Sequence, residues 1–234
     1  MPAVAAPFTE TNLINGWPNC QFRNGQKPRY FVLHTSEGAG GMDLVNYMRG
    51  AQVSYHYVVD NNGDVFDLVD TDDASWSCLD WNGFTINAVF GASRAGWSRQ
   101  QWIDNMGVGI RNMAYLCAQD CLKYGIPIDV SLTHPYRTIN TGVIDHHYIT
   151  VVGGIGSHVD CGDNFPTDLF IAQLQTFYSQ MKGTPVAAPF QYPSTDQMVR
   201  QIWEQLFGPQ AKGWPQLGNR TLVDAVADIE KRIK

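Results

Sequence analysis

The chain has 234 residues, 44% of them hydrophobic and 16% charged, enough for one globular domain of ordinary size plus an appendage. A net charge of −6 with no basic cluster argues against a nucleic-acid partner, and no apolar run approaches the roughly 20 residues of a membrane span. The 7 Trp, 10 Tyr and 11 Phe suit carbohydrate or peptide ligands, although most aromatic side chains simply fill cores.

Residues 1–27 read as an N-terminal extension. Met1-Pro2-Ala3-Val4-Ala5-Ala6-Pro7-Phe8 lacks a basic n-region and a long apolar stretch, so it is not a secretory signal. That predicts a protein of the cytoplasm that reaches any outside target through another protein. Residues 29–34 form a buried strand that delivers His34 to its end, where Thr35-Ser36-Glu37-Gly38-Ala39-Gly40-Gly41 opens into a loop. Residues 42–49 follow as a short helix. Residues 53–59 and 64–69 read as a hairpin over Asp60-Asn61-Asn62-Gly63, a turn that lacks the remaining ligands of a calcium loop. Strand alternation would put Tyr55 and Tyr57 on one face and His56 on the other.

Residues 85–90 are a second buried strand. Residues 99–124 carry helical periodicity through Trp102, Met106, Ile110, Met113 and Leu116 up to Gly125, and residues 166–181 form a last helix of the domain. Strands alternating with helices predict an α/β domain, a mixed central β-sheet flanked by helices, over residues 28–182. Residues 183–193 are rich in Pro and small residues and read as a linker. The tail, residues 194–234, holds two amphipathic helical stretches, 195–206 and 221–233. At about 40 residues it is too small for a confident core of its own, which leaves docking on a partner, oligomerisation or packing on the domain as its roles.

Five cysteines leave at least one unpaired, and buried free thiols are the expected state for most. Cys161 stands apart because of its neighbours in His158-Val159-Asp160-Cys161-Gly162. Three of the six histidines are arranged suggestively. His34 ends a strand, His146 lies in Val143-Ile144-Asp145-His146-His147-Tyr148-Ile149, and His158 follows a Gly-rich loop, Val152-Gly153-Gly154-Ile155-Gly156, that can fold back. A lone strand-end histidine is more often a packed residue than a ligand. A distant second histidine followed by a carboxylate or thiolate is how a chain assembles a zinc site. Three protein ligands and one open position make that site hydrolytic, because the metal brings the pKa of water to roughly 7.

Several segments together carry a family resemblance: Val32-Leu33-His34-Thr35-Ser36-Glu37-Gly38, Ser54-Tyr55-His56-Tyr57-Val58-Val59-Asp60, Ala74-Ser75-Trp76-Ser77-Cys78-Leu79-Asp80, residues 85–98, and residues 158–166. In this order, spread over about residues 28–180, they resemble the zinc-dependent N-acetylmuramoyl-L-alanine amidases of the amidase-2 and peptidoglycan-recognition type, most of all the endolysins of actinobacteriophages. The resemblance implies Zn2+ held by His34, His146 and either Asp160 or Cys161. His146 is preferred to His147 because the family's ligand stands three before the apolar residue, here Ile149. The ungapped match through Asn164-Phe165-Pro166 makes Asp160 the third ligand, whereas Cys161 requires a deletion. Tyr55 and His158 would orient and stabilise the reacting group, and Trp76 would line the substrate groove. Peptidoglycan is the implied partner, with wall binding as a role for the tail.

The departures from the family pattern are specific. Ser77 follows Trp76 where many relatives have a histidine, His158 replaces a Lys or Thr, and the strand at 85–90 has no Glu. Two other readings compete: a peptidoglycan-binding module without catalysis, and a peptidase with Cys161 as nucleophile.

Overall fold

The computed structural model describes residues 4–183, 202–207, 211–212 and 214–233. The chain divides into two compact units, Met1–Val186 and Ala187–Lys234.

The first unit is built on a seven-stranded sheet. Its strands are β1 (Thr9–Asn12), β3 (Tyr30–Thr35), β4 (Tyr57–Val59), β5 (Asp64–Asp67), β7 (Thr85–Phe90), β8 (Val130–Ser131) and β9 (Gly142–Asp145), in the order β1-β5-β4-β7-β3-β9-β8. Only β4 and β5 pair antiparallel; every other neighbour is parallel. Strands β3, β7 and β9 are buried along their whole length, as in a parallel sheet covered on both faces, and carry the polar His34, Asn87 and Asp145 inside it. A separate two-stranded ribbon joins β2 (Cys20–Phe22) to β6 (Asp73–Ser75).

Helices α1 (Gly41–Gly50), α2 (Arg99–Tyr124), α3 (His146–Val151) and α4 (Thr167–Met181) surround the sheet. Helix α2 begins where Ser98 Oγ accepts the Gln101 N–H and Gln101 Oε1 accepts the Ser98 N–H, a reciprocal cap that satisfies two donors no helical carbonyl can reach. It ends at Gly125, whose φ of 69° reverses the chain. Its apolar face and that of α4 pack on Phe31, Leu33, Ile86, Ala88 and Phe90, with Trp102 fully buried at the centre. A second cluster beneath α1 gathers Leu44, Val45 and Met48 against Val58, Phe66, Leu68 and Val89.

Three expectations need correction. The first hairpin strand starts at Tyr57, not at residue 53, so strict alternation does not extend back to Tyr55. Tyr55 packs with the α1 cluster and Tyr57 with the α2 cluster, so the two do not share a face. Residues 9–12 and 20–22, placed by sequence in an extension, add a parallel edge strand and one strand of the ribbon. The expected linker lies outside the described residues from position 184 onward, as do residues 195–201 of the first tail helix; residues 202–207 are helical. The second unit contains a short 3-10 turn, Pro215–Leu217, and a helix, Leu222–Ile233, led by Thr221, whose Oγ1 accepts the Asp224 N–H. Among the described residues no helix is long and apolar enough to cross a membrane.

Candidate active site

Strand register assembles the centre of the site. Leu33 of β3 pairs with Asp145 of β9, so His34 and His146 stand one residue further along two adjacent parallel strands, at the carboxyl ends where open sheets place their ligands. Asp145 then caps α3 by accepting the Tyr148 N–H at 2.8 Å, which turns the chain into the helix at His146. The loop after α3 folds back, and His147 N–H donates to the Asp160 carbonyl at 2.8 Å. Gly162 then passes so close to Ala95 that a Cβ there would lie 2.0 Å from its carbonyl oxygen, at a φ of 88°. Together these contacts hold Asp160 over the two strand ends.

His34, His146 and Asp160 are all buried, and their ligating atoms lie within 4.8 Å of one another. Asp160 Oδ2 is 3.4 Å from His34 Nδ1 and 3.7 Å from His146 Nδ1. Tetrahedral zinc with bonds of about 2.05 Å requires ligand atoms about 3.3 Å apart, so the cluster is close to a metal cage as it stands. His34 Nδ1 is buried without a hydrogen-bond partner, and such an orphaned lone pair fits a cation. Burial alone would raise the Asp160 carboxyl, but His146, His158 and His34 around it hold it well below the usual carboxylate range. Burial, with His34 and His158 close by, pushes His146 down to about 4 against the pull of Asp160. Both shifts leave an anionic carboxylate facing a neutral imidazole, the forms that bind metal.

A polar chain behind His34 was not foreseen from the sequence. His34 Nε2–H donates to Asn87 Oδ1 at 3.1 Å, which fixes the tautomer that leaves Nδ1 free for the site. Asn87 Nδ2 donates to Ser75 Oγ and Thr85 Oγ1, both at 3.0 Å. The Asn87 backbone N–H donates to His56 Nδ1 at 2.9 Å, so His56 carries its proton on Nε2, facing the Asp73 carbonyl at 3.1 Å. Burial pushes His56 down to about 3, keeping it neutral. Beneath it the buried Arg23 guanidinium donates to the carbonyls of Thr71, Asn82, Gly83 and Thr85.

The other candidates surround the open side. The half-buried Tyr55 ring lies 4.8 Å from the His34 ring, and burial, then the Asp160 charge, raises its phenol, so the O–H stays protonated and able to donate. The His158 ring stacks on His146 at 3.7 Å with Nδ1 3.5 Å from Asp160 Oδ1, and this contact raises its pKa. Tyr55, Trp76, His146 and His158 line one cleft of about 280 Å3, with Leu79, Asn82 and Ile155 completing its walls. His147 turns away and stacks with His134. Cys161 is fully buried in the α2 cluster, where burial and the nearby Asp145 and Asp160 push its thiol well above its usual range. Such a thiol is packing, not a nucleophile.

Residues 24–163 match the N-acetylmuramoyl-L-alanine amidase family, and that stretch is more than half of the chain. The chain belongs to the N-acetylmuramoyl-L-alanine amidase family. It is a peptidoglycan hydrolase. Residues 172–234 match a second family, the Rv3766 C-terminal domain, whose span begins inside α4. No curated protein matches the chain. Among solved structures, the Staphylococcus aureus hydrolase AmiA, in complex with its ligand, is 20% identical with a TM-score of 0.59, over 81% of this chain and 90% of that one. An AmpD derivative is 14% identical, TM-score 0.51, over 74% and 99%. The N-acetylmuramoyl-L-alanine amidase LysC from Clostridium intestinale is 13% identical, TM-score 0.50, over 71% and 97%. At these identities the likeness establishes the fold.

Proposed function

We propose that this amidase is zinc-dependent, with the ion held by His34, His146 and Asp160, and that it cuts the amide between N-acetylmuramic acid and L-alanine as the endolysin of an actinobacteriophage. The observation that carries the metal is the buried cluster itself, two imidazole Nδ1 atoms converging on one carboxylate oxygen while Asn87 occupies the far side of His34. A zinc ion bound there supplies Lewis acidity, polarising the lactyl carbonyl and easing deprotonation of water.

The protein's own groups do the rest. The Tyr55 phenol donates a hydrogen bond to the oxygen on which negative charge develops, from a half-buried position where that bond is worth more than in water. His158, anchored through Nδ1 to Asp160, carries a proton on Nε2 at the cleft mouth and passes it to the departing alanine nitrogen. Trp76 and Leu79 wall the cleft and hold the sugar and first peptide residue. The phage assignment rests on the motif resemblance, and it supports release from the host cytoplasm to the wall through another protein. Treatment with 1,10-phenanthroline is expected to abolish muropeptide cleavage, and added zinc to restore it. Activity that survives complete zinc removal would overturn the proposal.

A further inference from the structure

Beyond the catalytic cleft, we propose a second, distal subsite that binds the neutral glycan strand of the substrate, built by the N-terminal ribbon and the turn after Trp76. Three cavities lie in a row. The catalytic cleft shares Leu79 and Asn82 with a second cavity of about 370 Å3, and that cavity shares Gln21, Phe22 and Asn24 with a third of about 340 Å3. Two exposed apolar side chains stand where the cavities meet, Leu79 at 69% exposure and Phe22 at 79%. Neither has a packing reason to be there, and apolar groups exposed along a polar groove mark a binding surface.

The lining identifies the ligand. Gln21, Asn24 and Gln26, which carry side-chain amides, line the second cavity together with the exposed Phe22. Amides both donate and accept, as sugar hydroxyls and acetamido groups require, and an exposed ring offers a face to the C–H side of a pyranose. A stem peptide carries carboxylates and would need a cation. The one cation lining this cavity is Arg23, whose guanidinium is spent on buried carbonyls, and Asp80 adds a negative charge. A neutral saccharide is the occupant this chemistry accepts.

The walls are also held rigid. Asn24 and Gly25 both have positive φ, 50° and 83°, in a tight turn closed by the Gln26 N–H on the Arg23 carbonyl at 3.0 Å. Arg23 ties that turn from below to Asn82 and Gly83 on the opposite wall. Gln26 lies over Gly83 so closely that a Cβ there would fall 1.6 Å from its Oε1, so glycine at 83 lets the Gln26 side chain seat against the opposite wall. A groove with preset walls binds a stiff sugar chain at low ordering cost.

The proposal rests on the amidase reading for the identity of the polymer, and its test separates the two. The probe is a β-1,4-linked N-acetylglucosamine hexamer titrated into the full chain, followed by amide NMR shifts, alongside amide cleavage on a disaccharide muropeptide and on long glycan strands with the same peptide. The hexamer is expected to shift residues 21–26 and 79–83. Phe22→Ala and Gln21→Ala, both at exposed positions, are expected to weaken hexamer binding and raise KM on long strands about fivefold, with the disaccharide substrate unaffected. Hexamer binding at these residues without any amide cleavage would leave the subsite standing and sink the amidase reading. Cleavage of both substrates with equal KM and no hexamer shifts, or shifts there with free stem peptide instead, would overturn the subsite.

Discussion

Asn87→Ala is the perturbation that most sharply separates a positioning role from a packing one. The Asn87 side chain accepts from His34 Nε2 at 3.1 Å and donates to Ser75 and Thr85 at 3.0 Å, all buried. With the Cys78 thiol, which also donates to the amide oxygen at 3.0 Å, four hydrogen bonds are lost. At about 1 kcal/mol each, and less for the weak thiol donor, they predict a stability loss of about 3 to 4 kcal/mol, a thermal shift any unfolding assay will see. The informative loss is in metal affinity. Without the amide oxygen, His34 no longer has its proton fixed on Nε2, and the removal of such an outer partner lowers affinity by roughly 10- to 100-fold. Zinc competition against a chromophoric chelator measures this below the unfolding temperature, and 15N shifts of the His34 ring in the metal-free protein report the tautomer. Asn87→Asp keeps the acceptor and should recover most of the affinity. An Asn87→Ala protein that is destabilised yet binds zinc as tightly as wild type, with His34 still protonated on Nε2, would refute the argument.

Asp160→Ala should lose far more zinc than Cys161→Ala, because Asp160 faces both imidazoles whereas the Cys161 thiol is packed in the core; a reversed order in parallel titrations would make Cys161 the ligand. Tyr55→Phe should keep its full zinc content and lose roughly a hundredfold in kcat, as removal of one oxyanion donor does; an unchanged kcat removes the phenol from the mechanism. Asp120, buried in α2, has its carboxyl raised by burial from the usual 3.8 to about 7. The folded state therefore holds that proton more tightly than the unfolded chain, and the stability tied to it is complete below about pH 4 and lost as pH rises through 7. Asp120→Asn should match wild type near pH 4 and be more stable at pH 8 by roughly 2 to 4 kcal/mol; parallel stability profiles across that range would contradict this.

Strand position and helix position were readable where one property dominated. The apolar run that ends in His34 and the 3.6-residue periodicity from Trp102 to Leu116 leave little choice of structure. Residues 9–12, Thr-Glu-Thr-Asn, gave no such signal, because all four are exposed and none is apolar, although they pair in register with β5. Tyr55 was misplaced relative to Tyr57 because alternation holds only inside a strand, and this strand begins two residues later. Of the site, His34, His146 and Asp160, which the fold brings into one cluster, could be named together from the sequence, while the groups around them could not. Asn87 reaches His34 only through the pairing of β7 with β3, and the chain behind it draws Arg23, His56 and Ser75 from separate segments. An asparagine in Thr-Ile-Asn-Ala-Val-Phe looks like an unremarkable strand residue until the register is known. The missing Glu on that strand was visible, but not that Asn87 would stand behind His34 instead.

The central claim is that His34, His146 and Asp160 hold a zinc ion that this amidase needs to release L-alanine from muramic acid. The direct measurement couples metal analysis to mass spectrometry of muropeptides digested by wild type, His34→Ala and His146→Ala. The account predicts one zinc per wild-type chain, with products split into an intact lactyl sugar and a peptide beginning at L-alanine, and neither zinc nor products from variants that remain folded. Full zinc in either variant, or wild-type cleavage at any other bond, would contradict it.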